Sequence, residues 1–254
     1  MAVVLEGFTY SVVGFSTTIS ITAPPNISNN DLLLVFFIRD PTADVSDYDM
    51  IIDQSGWTQA TRVFSEQGDS LIQVYYKVSD GTDSNISATS SFTRDILGWY
   101  LRLSGVDTTS PINQIGTSSF SSLSPITATS VTTTVDGCMS FAILGFDGGD
   151  AEPYTITGTG WDTSFSANQY LNAGTSGTDA GGGWLNKSIA SAGSTQDVTF
   201  SSSTPDGMTA FQIAITADGS SPAGYSDKFL SVSASSVSKV SGSSIASISK
   251  ISVA

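Results

Sequence analysis

Asp31-Leu32-Leu33-Leu34-Val35-Phe36-Phe37-Ile38 is an acid followed by an unbroken apolar run, and it is answered later by Asp136-Gly137-Cys138-Met139-Ser140-Phe141-Ala142-Ile143-Leu144. The run is too short to span a bilayer, which takes ~20 residues. It is too continuous for the face of an amphipathic helix. It reads as a strand buried on both faces. Working outward, further pairs recur in the same order. Gly56-Trp57 is matched by Gly160-Trp161 at an offset of 104. Val74-Tyr75-Tyr76-Lys77-Val78 is faintly matched by Trp184-Leu185-Asn186-Lys187-Ser188-Ile189. Asn85-Ile86-Ser87-Ala88 pairs with Asp197-Val198-Thr199-Phe200, and Trp99-Tyr100-Leu101 with Phe211-Gln212-Ile213, both at 112. Pro24-Pro25-Asn26, Asp80-Gly81, Asp136-Gly137 and Asp206-Gly207 supply turn chemistry between the strands. The expected fold is therefore all-β: a jelly-roll-like antiparallel β-sandwich over residues 1–218, built from two similar halves (about 31–107 and 136–217) that share one core. Two separate small sandwiches joined near Ser118 to Thr129 are the alternative.

Composition narrows the chemistry. The 254 residues include 45 Ser and 29 Thr, whose hydroxyls compete for local backbone hydrogen bonds and favour turns and strands over helix interiors. With no His and a single Cys, a His-based triad, a Cys–His dyad, a His-ligated zinc site and an intrachain disulfide are all excluded. A net charge of -14 argues against gripping nucleic-acid phosphates. The opening Met1–Gly7 has no basic n-region, and no apolar run suits a membrane, so synthesis in the cytoplasm of a producing cell is expected.

Residues 219–254 differ from the rest. They hold 14 Ser, three Lys and one acid, whereas the preceding residues hold 22 acids and six bases. Lys228, Lys239 and Lys250 recur every 11 residues, and Val237-Ser238-Lys239-Val240 and Ile245 to Ile251 (with Ile248) alternate apolar with polar. Short strands with one apolar stripe cannot bury that stripe alone. The segment is expected to be a short β-repeat tail used for assembly, carried by Lys228, Val237, Lys239, Val240, Ile245, Ile248, Lys250 and Ile251; a flexible Ser-rich tail is the alternative.

The Asp-Leu-Leu-Leu strand, the Gly-Trp loop, Tyr75-Tyr76-Lys77-Val78 and Ser104-Gly105-Val106-Asp107-Thr108-Thr109-Ser110-Pro111-Ile112 resemble β-sandwich proteins encoded by bacteriophages and some bacterial surface proteins. Val237-Ser238-Lys239-Val240-Ser241-Gly242 and Ile248-Ser249-Lys250-Ile251 look like the short repeats that end many tailed-phage structural proteins. Ser and Gly stand where those repeats often carry Asn-Gly. The resemblance implies a non-enzymatic virion component, a tail fibre, head fibre or capsid decoration. It also implies partners among copies of the chain itself, a homotrimer first, and among other virion proteins.

Chemistry would have to come from carboxylates, hydroxyls and aromatics. The three Glu (Glu6, Glu66, Glu152) are far apart and single out no glycosidase pair, so a polysaccharide-degrading enzyme is a distant reading. No cofactor or metal is expected. Asp44, Asp47 and Asp49, and Asp147 with Asp150, offer calcium-type oxygens without an EF-hand register and read first as solvated loop acids. The duplicated Trp57 and Trp161 read as packing plugs and Cys138 as a buried filler. Trp184, after Gly181-Gly182-Gly183, is expected to be the most open ring and the one placed to stack on a host surface glycan if the protein is a carbohydrate-binding adhesin.

Overall fold

The computed structural model describes residues 1–41, 44–64, 70–121, 124–147, 155–173, 179–202, 207–219, 239–240 and 243–244. The first half contributes β1 (Val4–Ile21), β2 (Asn29–Arg39), β3 (Ile51–Ile52), β4 (Thr58–Phe64), β5 (Leu71–Asp80) and β6 (Ile86–Ser104). The second contributes β7 (Ile112–Ile115), β8 (Ser119–Ser121), β9 (Ile126–Ala128), β10 (Cys138–Asp147), β11 (Thr155–Thr157), β12 (Tyr170–Asn172), β13 (Ala180–Ile189), β14 (Val198–Ser201) and β15 (Met208–Ile215). All pairings are antiparallel. Among the described residues the only helical element is a 3-10 turn at Ser46–Tyr48.

The chain is an all-β sandwich, and its two halves repeat one topology. The first sheet runs β1-β6-β2-β5-β4 and the second β7-β15-β10-β13-β12, so each strand of one has its counterpart at the same place in the other. Each half also builds an outer layer. In the second it is the three-stranded sheet β9-β14-β11. In the first, β1 and β6 bend and continue into it: register shifts between Val13 and Thr18 mark the corner, beyond which Ile19 and Ile52 both face Ala88. Among the described residues, counting the bent strands twice in the first half and taking β7 and β8, which both pair with β15, as one strand in the second, each half has eight strands. They follow jelly-roll order, 1-8-3-6 in the inner sheet and 2-7-4 in the outer, with the fifth beside the sixth. The paired sequence motifs mark only four or five strands per half. Strands of two or three residues carry too little alternation to be read, and a bent strand reads as one.

Three apolar clusters correspond to the layers. Leu32, Leu34, Phe36 and Ile38 point into a central core with Trp99, Phe141, Trp184 and Phe211, between the two inner sheets. Leu33, Val35 and Phe37 of the same strand point the other way, into a core closed by Ile19, Ile52 and Ala88. The second half has the equivalent outer core, with Ala142, Leu144, Trp161 and Phe200. This is why residues 32–38 of β2 form an unbroken apolar run: both faces of that run are interior.

The chain divides into two compact units, Met1–Gly219 and Ser220–Ala254. In the latter, β16 (Lys239–Val240) and β17 (Ser243–Ser244) form a small antiparallel hairpin, Lys239 opposite Ser244 and Val240 opposite Ser243.

Candidate functional site

Trp184 is not an open ring. It is fully buried in the central core, edge-on to Phe8 at 5.0 Å and tilted against Phe141 at 5.8 Å. The three glycines before it are close-packing positions rather than a loosened loop. A Cβ on Gly182 would lie 2.5 Å from the Leu144 carbonyl oxygen, and one on Gly183 2.9 Å from that of Gln169. The expectation that Trp184 contacts a glycan is therefore corrected: no face of the ring is open to one. The repeated Gly-Trp turns are anchors. Gly56 and Gly160 both adopt the left-handed region (φ +88° and +74°), Trp57 packs edge-on to Tyr100 at 5.7 Å, and Trp161 donates its indole N–H to the carbonyls of Thr195 and Gln196, each at 3.1 Å.

The acids considered for calcium are dispersed. Asp44 and Asp49 are both bound by Arg62, at 2.7 and 2.6 Å, while Asp47 is exposed on the 3-10 turn. Asp147 ends β10, and Asp150 lies outside the described residues. Among the described residues no three His, Cys, Asp or Glu side chains are grouped to hold a metal. Cys138 is buried with its thiol toward the Val135 carbonyl oxygen at 3.3 Å. Of the tail residues, Lys239 and Val240 lie in the hairpin; Lys228, Val237, Ile245, Ile248, Lys250 and Ile251 lie outside the described residues.

Two features escaped the sequence reading. The first is a buried carboxyl pair. Asp95 of β6 and Asp179, just ahead of β13, are hydrogen-bonded to each other across the two halves. Nothing local in sequence marks them, because each belongs to a different repeat. Carboxyls in direct contact are closer than the ~5 Å or more that either glycosidase geometry uses. Burial raises the Asp95 pKa above the usual carboxylate range; the hydrogen bond and charge of Asp179 add to this, and the Phe15 N–H and Arg94 oppose it. A folded-state pKa above the unfolded one means that the pair's contribution is complete below the unfolded value and is lost as pH rises through the folded one. Asp179→Asn should therefore leave the protein about 1 kcal/mol more stable than wild type at pH 8, with the advantage gone at pH 3, as read by urea unfolding at the two pH values.

The second is a shallow, open trough of about 480 Å³ on the outer sheet of the second half, between the turn after β11 and the start of β14. It is lined by Ser130, Thr157, Thr159, Gln196, Asp197 and Thr199, with Gly158 at its edge. Asp197 Oδ1 accepts the Ser130 N–H at 2.7 Å, and the Thr127 and Thr199 hydroxyls are bonded at 2.8 Å. Behind it, Lys187 Nζ donates to the carbonyls of Thr159 and Thr195, both at 2.8 Å, and desolvation lowers its pKa. The signal that could have revealed it is the concentration of Thr in Thr127–Thr129, Thr155–Thr159 and Thr195–Thr199.

Family models, curated proteins and solved structures give no match to this chain. No helix among the described residues is long and apolar enough to cross a membrane.

Proposed function

We propose that the protein is a non-enzymatic structural component of a tailed-phage particle, a fibre or capsid-decoration protein. It would display the double sandwich and be fastened to copies of itself and to neighbouring virion proteins through residues 219–254. The observation that carries this reading is where the sandwich ends. Among the described residues its last strand and closing bonds are reached by Asp218: Val106 bridges Ala217, the Asp218 N–H reaches the Gly105 carbonyl at 2.8 Å, and the Met1 ammonium group bonds the Asp218 carbonyl. The unit boundary at Gly219 falls where the acidic composition gives way to the Ser/Lys pattern. A segment that forms its own compact unit and alternates apolar and polar residues is suited to pairing with strands of other chains. Its positive balance suits an acidic neighbour.

Deleting residues 220–254 should leave a folded body but abolish self-association and incorporation into particles, measured as mass by light scattering and as copy number in purified virions. A truncated chain that assembles and incorporates like the full one would refute the assignment.

A further inference from the structure

We propose that the trough on the outer sheet of the second half binds a neutral oligosaccharide. The internal repeat supplies a control within the molecule. The Gly-Trp turns align Gln54 with Gly158, and the strand register aligns Ser87 with Thr199, since Ile52 opposes Ala88 as Ile156 opposes Phe200. The strand-entry clamp is shared: Asn85 Oδ1 accepts the Ala23 N–H at 2.9 Å, as Asp197 Oδ1 accepts that of Ser130. The two sites then diverge. In the first half the Gln54 side chain crosses the gap and its Oε1 accepts the Ser87 N–H at 3.1 Å. In the second half position 158 has no side chain to make such a bridge, and Gly158 is one of the residues lining the trough. A Cβ there would lie 2.8 Å from the Asp197 carbonyl oxygen and 3.2 Å from Val198 Cα, so β14 itself keeps position 158 bare.

The open site is also held in shape. Gln196 is in the left-handed region (φ +67°), strained for a residue with a side chain. Its carbonyl is fixed there by the Trp161 indole N–H at 3.1 Å and by Gln212 Nε2 at 2.8 Å. Glycine would relieve that strain, yet the position carries a glutamine that lines the trough.

The lining selects the ligand class. Hydroxyls of Ser130, Thr157, Thr159 and Thr199 and the amide of Gln196 both donate and accept, and Asp197 accepts only. A polyol complements that set. An apolar ligand would desolvate these groups without offering new partners, and an anion would face Asp197 on a body with 22 acids and six bases. The trough is open, so it admits a stretch of chain rather than enclosing a monosaccharide. Trp161 is buried beneath it, so recognition is by hydrogen bonds without ring stacking, and a Kd of about 1 mM is expected.

The test uses the full chain and a panel of neutral tetrasaccharides of glucose, mannose, galactose and N-acetylglucosamine, read by saturation-transfer NMR and calorimetry. At least one should bind. Gln196→Ala with Asp197→Asn should weaken it tenfold or more at unchanged melting temperature, the Asn preserving the Ser130 clamp as Asn85 does in the first half. The exposed Thr157→Ala gives a second variant that should weaken binding without disturbing the fold. Silence across the panel, binding indifferent to these variants, or calcium chloride alone perturbing the trough residues would each overturn the proposal. The inference is independent of residues 219–254, so its failure leaves the assembly reading untouched, and the reverse holds too.

Discussion

Trp184→Ala should destabilise the sandwich by about 3–5 kcal/mol and should shift the urea midpoint without changing the fold at low denaturant. The indole sits where both repeats meet: Phe8 and Phe36 approach from the first half and Phe141 from the second, with ring centroids 5.0, 6.3 and 5.8 Å away. Removing it opens a void that none of them can fill, because each lies on a strand fixed in register. A loss under about 1 kcal/mol would mean that the inner sheets do not pack through this residue.

Arg39→Ala should cost a comparable amount, about 3–5 kcal/mol. The guanidinium is fully buried at the end of β2 and donates to the carbonyls of Tyr48 and, at 2.6 Å, Phe92. Burial, with Arg94 nearby, lowers its pKa to about 10, still leaving it charged at neutral pH. Its removal leaves two inward-facing carbonyls without their donor, at the place where β6 turns its corner and the 3-10 turn packs. Arg39→Met, which keeps most of the volume, should be nearly as damaging if the carbonyls are what matter. Equal stability of wild type and both variants in urea would show that the corner holds by other contacts.

Much of the fold was legible because its strongest signal, an apolar strand without alternation, has one physical cause: interior on both sides. The Gly-Trp echo was legible for a similar reason, since a left-handed glycine and a packing indole must recur together wherever the turn recurs. Trp184 was misjudged because consecutive glycines serve two opposite ends, loosening a loop or letting backbones touch, and only the neighbours Leu144 and Gln169 decide between them. The Asp95–Asp179 pair left no trace in sequence, since contact between residues of different repeats produces no spacing. The trough was hidden because hydroxyls are abundant everywhere in this chain. What distinguishes it is the missing side chain at Gly158.

The doubled architecture has an evolutionary consequence. The inner sheets are bound to each other by interlocking rings and can change only together, whereas each outer layer is closed by its own bonds. Gln54 and Gly158 illustrate the outcome: one copy has a side chain bridging its outer surface and its twin does not, while the keel that both share keeps a single strand order.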